Sequence, residues 1–593
     1  MNAFNPTPEQ ENLIQHEGNS LFVTAVPGAG KTRTMAQRFI RVSKDLTRMG
    51  ETRGIAALSF TNLAASEIEE KVRTLGGNAS GSNFIGTIDK FLRQFLIVPA
   101  SKSEYKANPD IRDEWIQFGA LAEFSLPNNI FNFSYVKIAS LGDFNFLNES
   151  VSKKLISRGG SFKYSNSKDR IINAAKEKRE TLRRQGCFDV DSARDYSIKV
   201  LQKNLYDLVD IMAARFREVI LDEVQDCNAT DLLLLEKLHD KGVKLTLIGD
   251  LDQDIYEFRG SNATKVQTFC RRRGFDEVAM TSNFRSTPEI CDLVTYLRKG
   301  SAVVDAPVKP RGHKKVQIFA YNQLSDVTKL AVKLDRQVFR KDQVSKETVV
   351  LAATSEIVSA ASGSRMIKKS NYIPKSKRIL TGIAMLRSSF SSPKMRNSGI
   401  RLIESGILES CVFSDGKCIE SSAKLEENLL GRGGSARLLS YRIAFETGVL
   451  SDSEKVKRQV SQKIVSILSE FGLQRKKGAW LLPSVKEWPG IISDLEQTTS
   501  SVNADTIHGS KGTQYDRVIL VLDMREANAR RATWAEEFIE LLEHRSGGES
   551  RRIFYVGASR AKDELILAVD YRLRERLESL LRYRSIDFEN LEL

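Results

Sequence analysis

The stretch Ala25-Val26-Pro27-Gly28-Ala29-Gly30-Lys31-Thr32 decides the fold of this chain. It follows the short apolar, β-prone run 21–24 and precedes the segment 31–45, whose composition favours a helix. A turn between a strand and a helix can direct backbone N–H groups at an anion, and the two glycines permit a tight turn. The stretch is typical of a phosphate-binding loop, although Ala25 stands where glycine is usual. It predicts a nucleotide hydrolase in which Lys31 contacts the β- and γ-phosphates and the Thr32 hydroxyl ligates Mg²⁺.

The composition is that of a folded protein with several structural units. At 593 residues the chain is too long for one core, and 41% hydrophobic with 28% charged residues favours neither disorder nor a membrane protein. No apolar run approaches the length of about 20 residues that a membrane span needs. The first ten residues lack the features of a signal peptide, so we expect a cytoplasmic protein. Six cysteines without a C-x-x-C pair or a Cys/His cluster argue against zinc, iron–sulfur clusters and disulfides.

The positive charge is concentrated in two segments. The formal net charge is +15, while residues 151–186 carry 11 Lys/Arg against 3 Asp/Glu, and residues 364–401 carry 10 Lys/Arg and no acid. Such clusters suit a polyanion, because phosphate contacts supply most nonspecific affinity for nucleic acids. A solvated basic surface without a ligand is the alternative.

Strand-like runs alternate with helix-like segments along the chain, which predicts an α/β fold with parallel sheets covered by helices. Two α/β cores are expected, each interrupted by an insertion. The predicted limits are 1–100 and 188–279 for the first core, 101–187 for its basic helical insertion, 280–355 and 490–593 for the second core, and 356–489 for an atypical insertion.

A second site element is Val219-Ile220-Leu221-Asp222-Glu223-Val224-Gln225-Asp226, in which an apolar strand delivers two adjacent carboxylates to a sheet edge. Asp222 is expected to hold Mg²⁺ through water, and Glu223 to orient and deprotonate the attacking water.

Together with seven further stretches, these elements make the chain resemble the UvrD/Rep/PcrA-like superfamily-1 DNA helicases. The stretches follow in the family's order: Asn5–Gln10, Ala57–Ala65, Ile85–Phe91, Ile248–Gly260, Thr281–Ser286, Asp505–Gly512 and Arg552–Ala561. The resemblance covers both predicted cores and neither insertion. It implies two RecA-like cores of the P-loop NTPase fold, each carrying a largely helical insertion, with ATP and Mg²⁺ as cofactors.

The resemblance also implies residue roles. The catalytic residues it implies are Lys31, Glu223, Gln253, Arg285 and Arg560, with Gln253 as γ-phosphate sensor and the two arginines as fingers from the second core. Those implied in nucleotide binding are Gln10, Gly28, Ala29, Gly30, Lys31, Thr32, Arg33, Phe284 and Gln514, and those implied in Mg²⁺ binding are Thr32 and Asp222. Among them, Gln10 would contact the base, and Phe284 would stack on adenine. The implied DNA contacts are Phe60, Thr61, Asn62, Thr87, Tyr256, Phe258, Arg259, Thr506 and His508. His508 is either a strand contact or a relay to the γ-phosphate.

Several positions depart from the family pattern. Asp89 stands where many relatives have histidine, Asp254 where serine is usual, and Gln514 where a ribose-binding glutamate is common. The insertion 356–489 lacks the Gly/Phe/Arg/Glu signature of the family's regulatory subdomain, so the resemblance implies nothing about autoregulation. Because the segment after Ala561 is short, we expect no RecB-type nuclease domain.

The resemblance implies an ATP-dependent single-stranded DNA translocase and helicase of 3′-to-5′ polarity that acts on single strands and single-strand/duplex junctions. An alternative is a DNA-sensing ATPase subunit of a Gabija-type antiviral complex, working beside an OLD-family nuclease with weak intrinsic unwinding. General repair or replication and antiviral defence both remain open as pathways. A scaffold that has lost catalysis is disfavoured because the catalytic set is complete.

Overall fold

The computed structural model describes residues 5–112, 136–140, 143–146, 177, 180–255, 263–298, 304–312, 315–338, 347–362, 375–387, 393–419, 422–448, 450–451, 453–479, 481–489, 491, 502–527, 532–544 and 548–593.

The first core is built on a six-stranded sheet in which every neighbouring pair is parallel. In spatial order its strands are Asp276–Met280, Leu21–Ala25, Lys244–Gly249, Phe216–Leu221, Gly54–Ser59 and Phe84–Thr87. The central strands are almost wholly buried, which explains their continuous apolar sequence. Parallel strands end at one edge, so the residues after Ala25, Leu221 and Gly249 lie close together there.

Helices precede and separate these strands along the chain and supply the connections that parallel strands require. They are Pro8–Gln15, Lys31–Arg48, Asn62–Thr74, Ile88–Leu92, Val98–Tyr105, Val190–Lys203, Leu208–Arg215, Ala229–Asp240 and Ala263–Arg272. A π-helical segment, Arg93–Ile97, joins two of them, and short 3₁₀ turns lie at Leu205–Asp207, Val224–Asp226 and Leu251–Gln253. The helix Lys31–Arg48 packs Met35, Phe39 and Ile40 against the sheet's apolar face.

The second core repeats this plan with a second all-parallel sheet of six strands. Its strands, in spatial order, are Ala504–Thr506, Thr348–Ala352, Tyr515–Leu522, Ala561–Asp570, Val316–Tyr321 and Phe588–Leu591. Its helices are Pro288–Tyr296, Leu324–Val338, Ser355–Ser362, Trp534–His544, Glu549–Ala558 and Arg574–Tyr583, with a 3₁₀ turn at Tyr571–Leu573. Ser282–Asn283 and Ala306–Pro307 form a separate short parallel pair.

The chain divides into two compact units. The first contains both sheets and comprises Met1–Ala100, Ser197–Gly363 and Ser501–Leu593, whereas the second comprises Ser101–Tyr196 and Ser364–Ser500. The second unit begins at Ser101, as the predicted first insertion does, while its other boundaries, Tyr196, Ser364 and Ser500, differ from the predicted limits 187, 356 and 489. The helix Ser355–Ser362 stays with the second core because Ile357 and Ala361 lie in that core's hydrophobic cluster.

The second unit has a hydrophobic cluster of its own, which includes the fully buried Trp488. Its described elements are the helices Lys375–Arg387, Pro393–Ser410, Ser422–Leu430, Ala436–Glu446 and Glu454–Glu470, the 3₁₀ turn Val485–Glu487, and the strand pairs Cys411–Phe413 with Leu473–Arg475, Asp110–Arg112 with Cys187–Asp189, and Val136–Ser140 with Asp143–Phe146. Most of the basic segment 151–186 lies outside the described residues.

The predicted fold class, two parallel-sheet α/β cores with helices, is confirmed. Among the described residues, no helix combines the length and the apolarity that crossing a membrane requires.

Candidate nucleotide site

The loop after the strand Leu21–Ala25 has the backbone shape that the sequence predicts for a phosphate-binding loop. Gly28 and Gly30 both adopt positive φ, at 76° and 77°. The helix Lys31–Arg48 starts directly after Gly30, whose own conformation is left-handed. The first turn of a helix leaves backbone N–H groups without helical partners, and the helix dipole favours an anion there. This loop is therefore shaped to receive phosphate groups.

Gln10, the predicted base contact, lies against this loop. Its side chain is 3% exposed, and its Nε2 donates to the carbonyl oxygen of Ala29 at 3.0 Å. Thr7 and Gln10 form a capping box at the start of the helix Pro8–Gln15, which fixes the position of the amide. A Cβ atom at Gly30 would lie 3.0 Å from Gln10 Nε2, so the glycine allows this close approach.

The two adjacent carboxylates follow the buried strand Phe216–Leu221. Glu223 has a left-handed backbone (φ 56°), and its Oε1 lies 3.2 Å from the Nζ of Lys31. Gln225 Nε2 donates to the other carboxylate oxygen. Asp222, which is 4% exposed, accepts the backbone N–H of Glu223 at 2.9 Å. The lysine of the loop and both carboxylates thus meet at the sheet edge.

The charges of these groups depend on one another. Burial alone would lower the pKa of Lys31, but the carboxylates of Glu223, Asp222 and Asp250 outweigh it and raise that pKa. Burial alone would raise the pKa of Glu223, yet Lys31 and Lys511 hold it below its usual range. Burial and the neighbouring Glu223 raise the pKa of Asp222. Lys31 is therefore charged and Glu223 ionised at neutral pH.

Asp222 and Thr32 fit a divalent cation. Asp222 is a buried carboxylate whose pKa is raised, so a nearby positive ion would stabilise its ionised form. Thr32, in the first turn of the helix Lys31–Arg48, is partly exposed. A hydroxyl and a carboxylate are oxygen donors of the kind that Mg²⁺ prefers.

Gln253 and Arg560, which the sequence predicts to act together, are in direct contact. Gln253 is buried in the 3₁₀ turn Leu251–Gln253, and its Nε2 donates to Asp250 Oδ2 at 3.0 Å. The Nη2 of Arg560, from the second core, donates to Gln253 Oε1 at 2.9 Å. Burial lowers the pKa of Arg560, and Glu223 partly offsets this effect. A side chain of the second core therefore reaches the nucleotide site of the first.

Arg285 approaches the loop from the same side. Its Nε donates to Gln514 Oε1 at 3.0 Å and its Nη1 to the carbonyl oxygen of Ser559 at 3.0 Å. Burial and then the charge of Arg560 lower the pKa of Arg285, which indicates that the two guanidinium groups share one site. A Cβ atom at Gly28 would lie 2.5 Å from the Cβ of Arg285, so the two segments are in close contact.

The remaining predicted nucleotide contacts surround this site. Phe284, predicted to stack on adenine, is 40% exposed, and its backbone N–H donates to the carbonyl oxygen of Gly28 at 3.0 Å. Arg33 and Gln514 are exposed, whereas Ala29 is buried within the loop. An exposed aromatic ring tied by its backbone to the phosphate-binding loop is suited to stack on a base.

The predicted DNA contacts that the structure describes lie at or just after the carboxyl ends of strands in the two sheets. Phe60, Thr61 and Asn62 follow the strand Gly54–Ser59, and Thr87 ends its neighbour Phe84–Thr87. The hydroxyls of Thr61 and Thr87 each accept a backbone N–H at 3.2 Å, so both residues cap helices. Tyr256, Phe258 and Arg259 lie outside the described residues.

On the second core, Thr506 ends the strand Ala504–Thr506, and His508 follows it. The Thr506 hydroxyl accepts the N–H of Gly509 at 3.0 Å, and His508 Nε2 lies 3.1 Å from the carbonyl oxygen of Ile255. Ile255 belongs to the second core's hydrophobic cluster although it follows a turn of the first core. His508 therefore contacts the residue that precedes, in the chain, the predicted DNA contacts Tyr256, Phe258 and Arg259.

The ion pair between Lys511 and Asp226 at this site was not predicted from the sequence. Lys511 Nζ lies 2.5 Å from Asp226 Oδ1 and donates to the carbonyl oxygen of Gln253 at 3.1 Å. Burial raises the pKa of Asp226 to about 6, although Lys511 opposes the shift. Both residues stand in the stretches that suggested the site, but a separation of 285 residues hides their contact.

Comparison with known proteins matches nearly the whole chain. The UvrD/REP helicase N-terminal domain matches residues 6–272, and the UvrD-like helicase C-terminal domain matches residues 282–571. The chain is 26% identical over 302 residues to ATP-dependent DNA helicase UvrD1 of Mycobacterium leprae, a match covering 48% of this chain and 38% of that protein. It is 23% identical over 653 residues to the UvrD1 of Mycobacterium bovis, covering 95% and 82%.

A shorter match, 24% identity over 289 residues, links the chain to ATP-dependent DNA helicase PcrA of Bacillus subtilis and covers 48% of this chain and 38% of that protein. The two domain matches are consecutive, and each falls on one of the two parallel-sheet cores. Side chains that the motifs single out in both cores meet at one site, where Lys31 contacts Glu223 and Arg560 contacts Gln253. The chain therefore belongs to the UvrD-like superfamily-1 helicases.

Proposed function

We propose that this protein is an ATP-dependent DNA helicase that moves 3′ to 5′ along single-stranded DNA, using Mg²⁺ with ATP. The observation that carries the proposal is the 2.9 Å contact between Arg560 of the second core and Gln253 of the first. It joins a guanidinium from one core to a site on the other that already holds Lys31 and Glu223. ATP bound there would contact both cores, so its hydrolysis could change their arrangement.

In the proposed reaction, a water oxygen attacks the γ-phosphorus and the bond to the bridging oxygen breaks, giving ADP and phosphate. Glu223, whose pKa lies below its usual range, orients the water and accepts its proton. Lys31, Arg285 and Arg560 place positive charge around the transferred group, where it stabilises the transition state. Mg²⁺ held by Thr32 and Asp222 would neutralise charge on the phosphates.

The ion pair between Lys31 and Glu223 suggests how binding begins. Its two atoms are 3.2 Å apart, and both side chains are largely buried. The phosphates of ATP would attract the Lys31 ammonium and so free Glu223 for the attacking water. Nucleotide binding and activation of the base would then occur together.

DNA is proposed as the polymer that the motor acts on. The matched mycobacterial and Bacillus proteins are named DNA helicases. Phe60 offers an aromatic ring beside the exposed Thr61 and Asn62, and stacking on such a ring contributes roughly 1–3 kcal/mol per base irrespective of sequence. The predicted contacts that fall on described residues lie at the carboxyl edges of both sheets, which supports the proposal because open α/β sheets bind ligands there.

The antiviral alternative, a DNA-sensing subunit beside an OLD-family nuclease, rests on the sequence resemblance alone. Affinity purification from the native host distinguishes it from the main proposal. Stoichiometric recovery of a nuclease would support the alternative, and a single chain with strong unwinding would support an independent helicase.

The direct test of polarity is strand displacement on duplexes with a 3′ tail or a 5′ tail of equal length. We expect ATP-dependent unwinding of the 3′-tailed substrate only, because the motif set resembles the 3′-to-5′ branch. Glu223→Gln keeps the shape of the side chain but removes the base, and should abolish unwinding while DNA binding persists. Preference for the 5′ tail would overturn the polarity, and unwinding by Glu223→Gln would overturn the site.

A further inference from the structure

Arg298 is a buried cation that the proposed reaction does not use. It follows the helix Pro288–Tyr296 and is 3% exposed. Its Nη2 lies 3.0 Å from Asp250 Oδ2, and its Nε lies 3.1 Å from Asp305 Oδ2. A third carboxylate oxygen, on Asp252, lies 3.6 Å from its Nη1. One guanidinium group therefore faces three carboxylates.

One branch of this network leads to the γ-phosphate sensor. Asp250 is fully buried, and its Oδ2 accepts Gln253 Nε2 at 3.0 Å as well as the Tyr555 hydroxyl at 2.6 Å. Gln253 in turn accepts Arg560 Nη2. Arg298 thus fixes, through Asp250, the amide that Arg560 contacts.

The other branch leads to the first arginine finger. Asp305 Oδ1 accepts Asn283 Nδ2 at 3.2 Å. The other end of that amide, Asn283 Oδ1, accepts the backbone N–H groups of Arg285 at 2.9 Å and Ser286 at 3.0 Å. Arg298 thus also fixes, through Asp305, the backbone that carries Arg285.

Only a cation with several donor atoms can bind Asp250 and Asp305 at the same time. The Nε and Nη2 atoms of the guanidinium bind different carboxylates, which a single ammonium group cannot reproduce with the same geometry. Buried carboxylates are costly unless they are paired, so Asp250 and Asp305 require this charge. Burial alone would lower the pKa of Arg298, but Asp250, Tyr555 and Asp305 raise it, and the charge is permanent.

We propose that Arg298 is a positioning residue that fixes Gln253 and Arg285 relative to each other, so that both can contact the γ-phosphate at the same time. The role rests on the proposed ATPase function. It adds to that function a buried group which does not touch the nucleotide and which connects the turn of the first core to the finger of the second.

The test compares Arg298→Met, Arg298→Lys and the control Arg517→Met in steady-state ATP hydrolysis. Arg517 is also buried and pairs with Glu564 at 2.7 Å, but between two strands of the second sheet. Arg298→Met should lower kcat by about tenfold or more with KM for ATP changed by less than about threefold, because small displacements of catalytic groups affect the reaction step most. Arg298→Lys should recover part of kcat, and Arg517→Met should leave kcat and KM near the wild-type values.

Hydrogen exchange supplies a second readout that does not depend on turnover. In Arg298→Met, exchange should accelerate at the amides of Arg285 and Ser286, while the strands of both sheets keep their protection. Unchanged kcat would overturn the proposal. So would an equal loss of kcat in Arg517→Met, or accelerated exchange throughout the second sheet, because either indicates general destabilisation. If the wild-type chain hydrolyses no ATP, the proposed function fails, and exchange at these two amides alone decides the positioning role.

Discussion

Lys31 and Glu223, at the candidate nucleotide site, are both charged, and Lys31 can exchange Glu223 for a phosphate. Lys31 and Glu223 form a largely buried pair with N–O separation of 3.2 Å, and each group favours the charged form of the other. A buried pair of this kind contributes little net stability, but removing one partner leaves a costly charge. An incoming phosphate supplies a replacement partner for Lys31, which makes the pair suited to a binding site.

The buried carboxyl group of Asp226 makes the free energy of unfolding depend on pH. Burial raises its pKa to about 6, so the folded chain binds a proton more tightly than the unfolded chain does. The stabilisation from this proton is complete below the ordinary pKa of aspartate and is lost as pH rises through about 6. Wild type should lose this stabilisation and Asp226→Asn should not. We therefore expect the free energy of unfolding of Asp226→Asn, relative to wild type, to rise by about 2 kcal/mol as the pH increases from 4 to 7.

Unfolding by urea at several pH values measures this difference. Lys511→Met serves as the companion variant, since Lys511 opposes the rise in the pKa of Asp226 and its removal should shift the dependent interval to higher pH. A constant difference between Asp226→Asn and wild type over the whole pH interval would contradict the assignment.

The phosphate-binding loop depends on a close contact between two segments. At Gly28, with φ of 76°, a Cβ atom would lie 2.5 Å from Arg285 Cβ and 2.6 Å from Asn283 Oδ1. At Gly50, after the far end of the helix Lys31–Arg48, φ is 67° and no atom lies within 4 Å of such a Cβ. The two glycines therefore share a left-handed backbone and differ in their surroundings.

Alanine substitution at Gly28 and at Gly50 separates backbone strain from the effect of the close contact. Gly50→Ala should cost roughly 1–2 kcal/mol of unfolding free energy, the usual strain of a left-handed residue, and leave ATP hydrolysis unchanged. Gly28→Ala should carry the same strain, displace the segment with Arg285 and lower kcat. Thermal unfolding and steady-state hydrolysis measure both variants, and equal kcat in the two would show that the close contact has no functional role.

Elements with strong local signals were predicted from the sequence. The strand Leu21–Ala25, its two-glycine loop and the following helix lie where the sequence predicts them, because apolar burial and glycine conformation are local properties. The edge strand Phe588–Leu591 was missed because it is short, partly polar and defined by pairing with Val316–Tyr321, far away in the chain. Such pairing leaves no local pattern.

At the site, too, residues in local motifs were predicted, whereas a residue outside the motifs was missed. Lys31 and Glu223 were predicted from motifs, and their contact follows from the edge that parallel strands share. Arg298 carries no motif, and its partners Asp250 and Tyr555 lie 48 and 257 residues away. Only the fold brings these three side chains together. The roles proposed for the predicted nucleotide and DNA contacts stay predictions.

Side chains of both cores make up the candidate nucleotide site. The first supplies the phosphate-binding loop, the carboxylates and Gln253, while the second supplies Arg285, Arg560 and Lys511. An ATPase divided in this way can link each turnover to opening and closing of the cores, which is what a motor on DNA requires. The matched N- and C-terminal helicase domains divide the chain in the same way.

The measurement that tests this division most directly is steady-state ATP hydrolysis by Arg560→Ala in the presence of single-stranded DNA. Arginine fingers contribute roughly 10³–10⁵ to the rate in related hydrolases, so kcat should fall by about a thousandfold or more. ATP binding should persist, because Lys31 and the phosphate-binding loop belong to the first core. Wild-type kcat in Arg560→Ala would show that the first core hydrolyses ATP without the second, and would contradict the account.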